Sequence, residues 1–204
     1  MKKLVFSIAA ILVSISSFAV VANPGVVGDG KTPVSDSQVI TLTANLKTTL
    51  ALQLDTKGIT FDFVSLDDYK NGLGKDGGYT SVGAVSSTSN WNLSAKAVSD
   101  FKHSDGTTIM PLNNVGLSVA YNGKKAIQNN TTAAPLALAK TERILIGHDG
   151  KNPNAGDFSD NGFTVKWEMG TKRGDMNGAT LFDQDLKKGT YTTQVQFIAT
   201  EVMK

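Results

Sequence analysis

From Ile40 to Leu54 the chain alternates strictly. Ile40, Leu42, Ala44, Leu46, Leu50, Leu52 and Leu54 share one side, with Thr48 the single interruption. Val39, Thr41, Thr43, Asn45, Lys47, Thr49, Ala51 and Gln53 share the other. Successive side chains of an extended chain point to opposite faces, so a period of two selects a half-buried β-strand over a helix. One ordinary strand does not take up the whole run: strands average roughly 5–6 residues, and this stretch would extend about 50 Å at ~3.3 Å per residue. It reads as two strand-length pieces joined near Lys47 to Thr49. The first piece lies close to the front of the chain. A strand in that place either pairs within its own domain or leaves to complete another molecule.

The residues ahead of it set the context. Met1-Lys2-Lys3 is a short positive region, Leu4 to Val21 is an apolar run, and Val20-Val21-Ala22 ends it on a small residue. This pattern predicts a secretory signal over residues 1–22, cut after Ala22. A membrane-spanning anchor is the alternative that length allows, but Asn23-Pro24-Gly25 follows at once with no positive stop-transfer cluster. Loss of Lys2 and Lys3 turns 20 basic residues against 18 acidic into 18 against 18, a formally neutral mature chain. Neutrality gives no basic patch for nucleic acid. The absence of cysteine leaves packing and strand pairing, not disulfides, to hold an exported chain together.

Residues 23–37 are Gly, Pro and polar and are expected to form a flexible tail. Residues 38–46 hold the first alternating piece, and residues 47–204 are expected to form a single domain. Further stripes recur there: Ile59, Phe61, Phe63; Trp91, Leu93, Ala95, Ala97; Val115, Leu117, Val119, Tyr121; Phe163, Val165, Trp167, Met169; and Tyr191, Thr193, Val195, Phe197, Ala199. Ile144 and Ile146 are in phase with one another. Asn-Gly and Asp-Gly pairs punctuate the stripes, and Asn122-Gly123 predicts a hairpin from Leu117–Tyr121 to Lys124–Ile127. Only Asp67–Asn71 could hold a helical turn. Many short strands between turn signals predict an all-β sandwich or barrel.

Motifs for chemistry are sparse. His103 and His148 sit in polar, turn-rich stretches and read as surface-loop histidines. There is no thiol, no G-x-S-x-G elbow, no G-x-G-x-x-G and no Walker A sequence. No catalytic residue, cofactor or metal ligand is therefore assigned, and an enzyme is not expected. The loop from Asp149 to Asp160 carries enough oxygen ligands to suggest Ca²⁺, but Lys151 occupies a ligand place and no closing Glu follows. A solvated connection is the plainer reading. Trp91 and Trp167 are in phase with their apolar stripes and read as core. Tyr69 and Tyr79, in a Gly-rich region, are the better exposed aromatics for stacking a sugar.

Three stretches carry a resemblance. They are Val39-Ile-Thr-Leu-Thr-Ala-Asn-Leu46 followed by Leu50-Ala-Leu-Gln-Leu54; Val115-Gly-Leu-Ser-Val-Ala-Tyr-Asn-Gly123 followed by Asn161-Gly-Phe-Thr-Val165; and Lys188-Gly-Thr-Tyr-Thr-Thr-Gln-Val-Gln-Phe-Ile-Ala-Thr200. In this order they resemble the major pilins of chaperone–usher fimbriae, especially the α-type pilins and the enterobacterial common-pilus pilin. The resemblance implies an immunoglobulin-like β-sandwich lacking one strand and finished by a donor strand from another copy. Ile40, Leu42, Ala44 and Leu46 would be the inserted side chains. Tyr191, Thr193, Val195, Phe197 and Ala199 would be the acceptor edge. It further implies a structural subunit of a bacterial surface fimbria that supports adhesion. Its partners would be copies of itself, a periplasmic chaperone, an outer-membrane usher and host or surface glycans. The alternative is a self-complete secreted sandwich that binds carbohydrate or another cell-surface component, with residues 38–46 paired inside their own domain.

Overall fold

The structure, a computed structural model, describes residues 40–55, 58–130 and 134–203. The expected signal (1–22), the expected tail (23–37) and the first two residues of the 38–46 segment lie outside the described residues. The chain divides into two compact units, Met1–Asn45 and Leu46–Lys204. Every described strand belongs to the second.

The strands are β1 (Leu50–Leu54), β2 (Thr80–Ser87), β3 (Trp91–Ala97), β4 (Phe101–His103), β5 (Ile109–Met110), β6 (Val115–Tyr121), β7 (Gln128–Asn129), β8 (Leu136–Ala137), β9 (Arg143–Gly147), β10 (Gly162–Met169), β11 (Tyr191–Thr192) and β12 (Val195–Glu201). One short helix, α1 (Leu66–Asn71), sits between β1 and β2. Ser65 starts it with a capping box: Asp68 N–H donates to Ser65 Oγ at 3.2 Å, and Ser65 N–H donates to Asp68 Oδ2 at 2.8 Å.

One sheet has the order β1-β2-β10-β6-β8, a second β12-β3-β9-β7, and a small third β11-β4-β5. All pairings are antiparallel. The third sheet continues the second, because Val98 N–H donates to Gln194 O and Thr193 Oγ1 to Ser99 O where the two meet. The apolar stripes explain the layering. Val85, Leu117, Val119, Phe163, Val165 and Trp167 of the first sheet and Trp91, Leu93, Ala95, Leu145 and Ile146 of the second share one buried cluster. Trp167 meets the ring of Phe197 edge to face at 5.9 Å. The fold is an all-β sandwich of antiparallel sheets, as the alternating stripes predict. Trp91 is fully buried, and Asn154 holds it. Trp91 N–H donates to Asn154 Oδ1 (3.0 Å), Asn154 Nδ2 to Trp91 O (2.9 Å) and Trp91 Nε1 to Asn154 O (2.9 Å).

Three local expectations are corrected. Asn122-Gly123 does not close a hairpin. Asn122 N–H donates to Gly162 O and Lys124 N–H to Asp160 O, each at 2.8 Å, so the chain runs on beside β10 before crossing to β7. The glycine is needed for close approach: a Cβ there would lie 2.3 Å from Tyr121 Oη. Ile144 and Ile146 do not share a face. A register shift opposite Leu93 and Ser94 makes Leu145 an extra residue, which buries Leu145 and Ile146 and leaves Ile144 exposed. Residues 58–64 form no strand, although Ile59, Phe61 and Phe63 keep their alternating half-burial. They are extended without a neighbouring ladder.

Candidate functional site

Among the described residues, the two principal sheets end on strands with a free side, β1 in one and β12 in the other. Hydrogen-bond parity fixes which peptide groups face outward. Gln194 O accepts from Val98 N–H (2.9 Å), and Val202 N–H donates to Asn90 O (2.7 Å). The even-numbered residues of β12 therefore turn their peptide groups to β3, while Val195, Phe197 and Ala199 turn theirs to the free side. The same parity holds along β11, where Thr190 O accepts from Ser104 N–H at 2.9 Å, so Tyr191 and Thr193 also face outward. In β1, Thr49 O accepts from Thr88 N–H (3.0 Å) and Asp55 N–H donates to Val82 O (2.8 Å). Leu50, Leu52 and Leu54 thus present their peptide groups to the free side. On both edges these same residues are half-buried, and all but Thr193 pack their side chains on the core.

The two edges approach at one end, where Thr48 Oγ1 donates to Glu201 Oε1 at 3.1 Å. Away from that contact they part. Leu52, Leu54, Val82, Ala84, Val195 and Phe197 line a hollow of about 850 Å³. A second hollow of about 780 Å³ continues between residues 58–63 and 187–193, and Phe101, Met110, Trp167 and Met169 of the core contribute to its lining. The interior of the sandwich therefore opens onto a long apolar groove flanked by unpaired peptide groups. Exposed edges are normally kept short, because they invite pairing with another chain. The opposite edges follow that rule: β5, β7 and β8 have two residues each. The edges on the groove do not, with five residues in β1 and seven in β12.

All five residues predicted for the acceptor edge, Tyr191, Thr193, Val195, Phe197 and Ala199, lie on this free edge and are half-buried. The predicted donor residues lie elsewhere on the chain. Residues 40–49 form no strand, Ile40, Leu42 and Leu46 are 84, 93 and 96 % exposed, and Ala44 is exposed. The long alternating run is thus divided: its second half is β1, and its first half has no ladder partner.

Sequence reasoning missed the other wall of the groove. Tyr69 and Tyr79 are half-buried, not free platforms, and pack on the unpaired 58–64 segment: Phe61 stacks at 4.4 Å from Tyr79, and Phe63 at 5.4 Å from Tyr69. Lys188 Nζ lies 4.0 Å from the Tyr69 ring centre across the groove mouth. The repeated phenylalanine spacing was the available signal, but nothing in it told a paired strand from an unpaired one.

His103 is also corrected. It lies on β4 and is only 7 % exposed. Its Nδ1 accepts from Asp105 N–H, and its Nε2 lies 3.1 Å from Lys188 O, joining the β4–β5 turn to the groove lip. The N–H and hydroxyl of Thr108, with Lys187, hold the Asp105 carboxyl far below the usual carboxylate range. His148 stays in its loop, with Nε2 2.7 Å from Asn152 O.

In the 149–160 loop Asp149 and Asp157 serve its own backbone, while Asp160 pairs with Lys124 and Lys125. Asp149 Oδ1 accepts from Lys151 N–H and Asn152 N–H, and Asp157 Oδ1 from Ser159 N–H and Asp160 N–H. Among the described residues no group of three His, Cys, Asp or Glu side chains converges on a metal position. The hydrogen bonds lower Asp149 from 3.8 to about 2. A depressed carboxyl contributes its stabilisation in full above the unfolded value and loses it as pH falls through the folded one. Amide-exchange protection of Lys151 and Asn152 is therefore expected to persist at pH 4 and fade toward about pH 2. Asp149→Asn should remove that pH dependence, and unchanged protection would show that the carboxylate does not order the turn.

Compared with known proteins, the sequence matches no protein-family model and no curated protein.

Proposed function

We propose that this chain is the structural subunit of a bacterial surface fimbria and polymerises by β-strand addition. In this reading the Ile40–Leu46 segment of one copy enters the groove between β1 and β11–β12 of the next. A periplasmic chaperone and an outer-membrane usher would handle the open groove before assembly, and the fibre would support adhesion. One observation carries the reading. The two longest free edges of the sandwich border an apolar groove into the core, while the same chain carries an exposed, alternating apolar stripe of strand length.

The physical match is direct. An inserted strand pairs its backbone with the free peptide groups of Tyr191 to Ala199 and sends alternate side chains into the groove. Seven residues at ~3.3 Å extend about 20 Å, within the reach of that edge. Burial of Ile40, Leu42 and Leu46 at ~1.5–3 kcal/mol each supplies roughly 5–9 kcal/mol, an upper figure because collapsed chains hide part of this area already. The contact is head-to-tail and does not close on itself, which is the symmetry of a fibre.

Native material is expected to run as heat-sensitive, detergent-resistant ladders. Deleting residues 23–46 should abolish the ladders yet leave a chain that captures an added 38–46 peptide. A soluble monomer at high concentration that ignores the peptide would instead favour the self-complete, carbohydrate-binding sandwich.

A further inference from the structure

We infer that the end of the sandwich built by α1 and the turn at Phe182 is the seat for the body of the neighbouring copy in the fibre. This inference rests on the reading of Ile40–Leu46 as an inserted strand.

The tether is the first reason. Only Lys47, Thr48 and Thr49 separate Leu46 from the start of β1 at Leu50. Extended, they reach on the order of 10 Å. A copy whose Leu46 lies in a neighbour's groove must therefore press its own sandwich against that neighbour.

The groove fixes which end receives it. At one end the Thr48–Glu201 hydrogen bond ties the two edges together, and at the other the groove continues between residues 58–63 and 187–193. Insertion antiparallel to the longer edge, β11–β12, is the stronger pairing and sets Leu46 beside Tyr191. Both arguments bring the tether out at the end where α1 lies.

Exposed apolar side chains gather at that end. Val64, Leu66 and Phe182 are 87, 55 and 53 % exposed. Phe182 N–H donates to Tyr69 O at 3.2 Å, and Lys70 Nζ lies 5.7 Å from the Phe182 ring centre, so the turn and α1 form one surface. Tyr69 of this helix also lines the groove.

The arriving face is equally defined. It carries the start of β1, where Thr48 bonds both Glu201 and Ser89, and the exposed Met203. The charges on the two faces are complementary: the arriving face brings Glu201 and Lys47, and the receiving end offers Lys70 and Lys188, neither ion-paired among the described residues, and Asp62 at the groove rim.

The lack of cysteine in the sequence makes a clean test. Fibres of a Phe182→Cys, Met203→Cys double variant, treated with a bis-maleimide of reach matched to the tether, should give ladders that survive boiling. Either single variant should not. Six Gly-Ser residues inserted between Lys47 and Thr48 should reduce the cross-linked ladder to the single-variant level. With residues 23–46 deleted, a Leu66→Asp, Phe182→Asp variant should capture the 38–46 peptide as the same deletion without the substitutions does, while fibres of the full-length variant dissociate about tenfold faster or more. Peptide capture with no boiling-resistant ladder and unchanged dissociation would overturn the seat and leave strand insertion standing. Failure of the chain lacking residues 23–46 to capture the peptide would overturn both.

Discussion

Replacing Leu42 by lysine should abolish fibres while leaving each subunit folded. Leu42 is 93 % exposed, so the substitution alters nothing the domain packs, and the change in subunit stability should stay within about 0.5 kcal/mol. In the proposed fibre the same side chain would enter a neighbour's groove and lie against core residues. Losing the leucine forfeits about 1.5–3 kcal/mol of burial, and stripping water from an ammonium costs several kcal/mol more. At ~1.4 kcal/mol per factor of ten, insertion weakens by more than roughly a thousandfold. Thr43→Lys is the matched control. It adds the same charge one residue along, on the polar side of the stripe, and should assemble nearly as the parent does. Electron microscopy and heat-sensitive ladders read both variants. Equal behaviour of the two would show that the alternation at 40–46 does not decide assembly.

The second large effect is expected in the core. Asn154→Ala removes both side-chain bonds to the Trp91 backbone and leaves a buried N–H and a buried carbonyl without partners. Each unsatisfied buried group costs about 1–3 kcal/mol, and the amide also leaves a void. The urea midpoint should fall by an amount corresponding to on the order of 3–5 kcal/mol, a large share of a typical domain's stability. Asn152→Ala, two residues away and exposed, is the comparison. A similar small shift in both variants would show that Trp91 keeps its place without Asn154.

The contrast between these two sites shows how far residues alone reach. The stripes at Trp91–Ala97, Val115–Val119 and Phe163–Met169 were legible because each strand has one buried face, and period two survives wherever that holds. The tyrosine-to-alanine stripe at 191–199 was legible for the same reason. Its position on an edge was expected only through the resemblance, since edge status depends on strand order and no local pattern encodes it. Asn154 lay in a stretch rich in turn residues, and its partner is far away in the chain, so nothing nearby marked it as a core clamp. Asn122-Gly123 carried a genuine turn signal that the ladder to β10 overrode. His103 looked like a loop residue because Asp105-Gly106 follows it, yet the turn begins only after its ring is buried.

The two-residue borders at β5, β7 and β8 carry one more consequence. Bodies that adhere along several long margins can spread into mats or branch at every contact. Here the generous margins all border the same slot, so strand insertion of the kind proposed above would give growth a single axis, and the expected assembly is a thread with two tips and no forks.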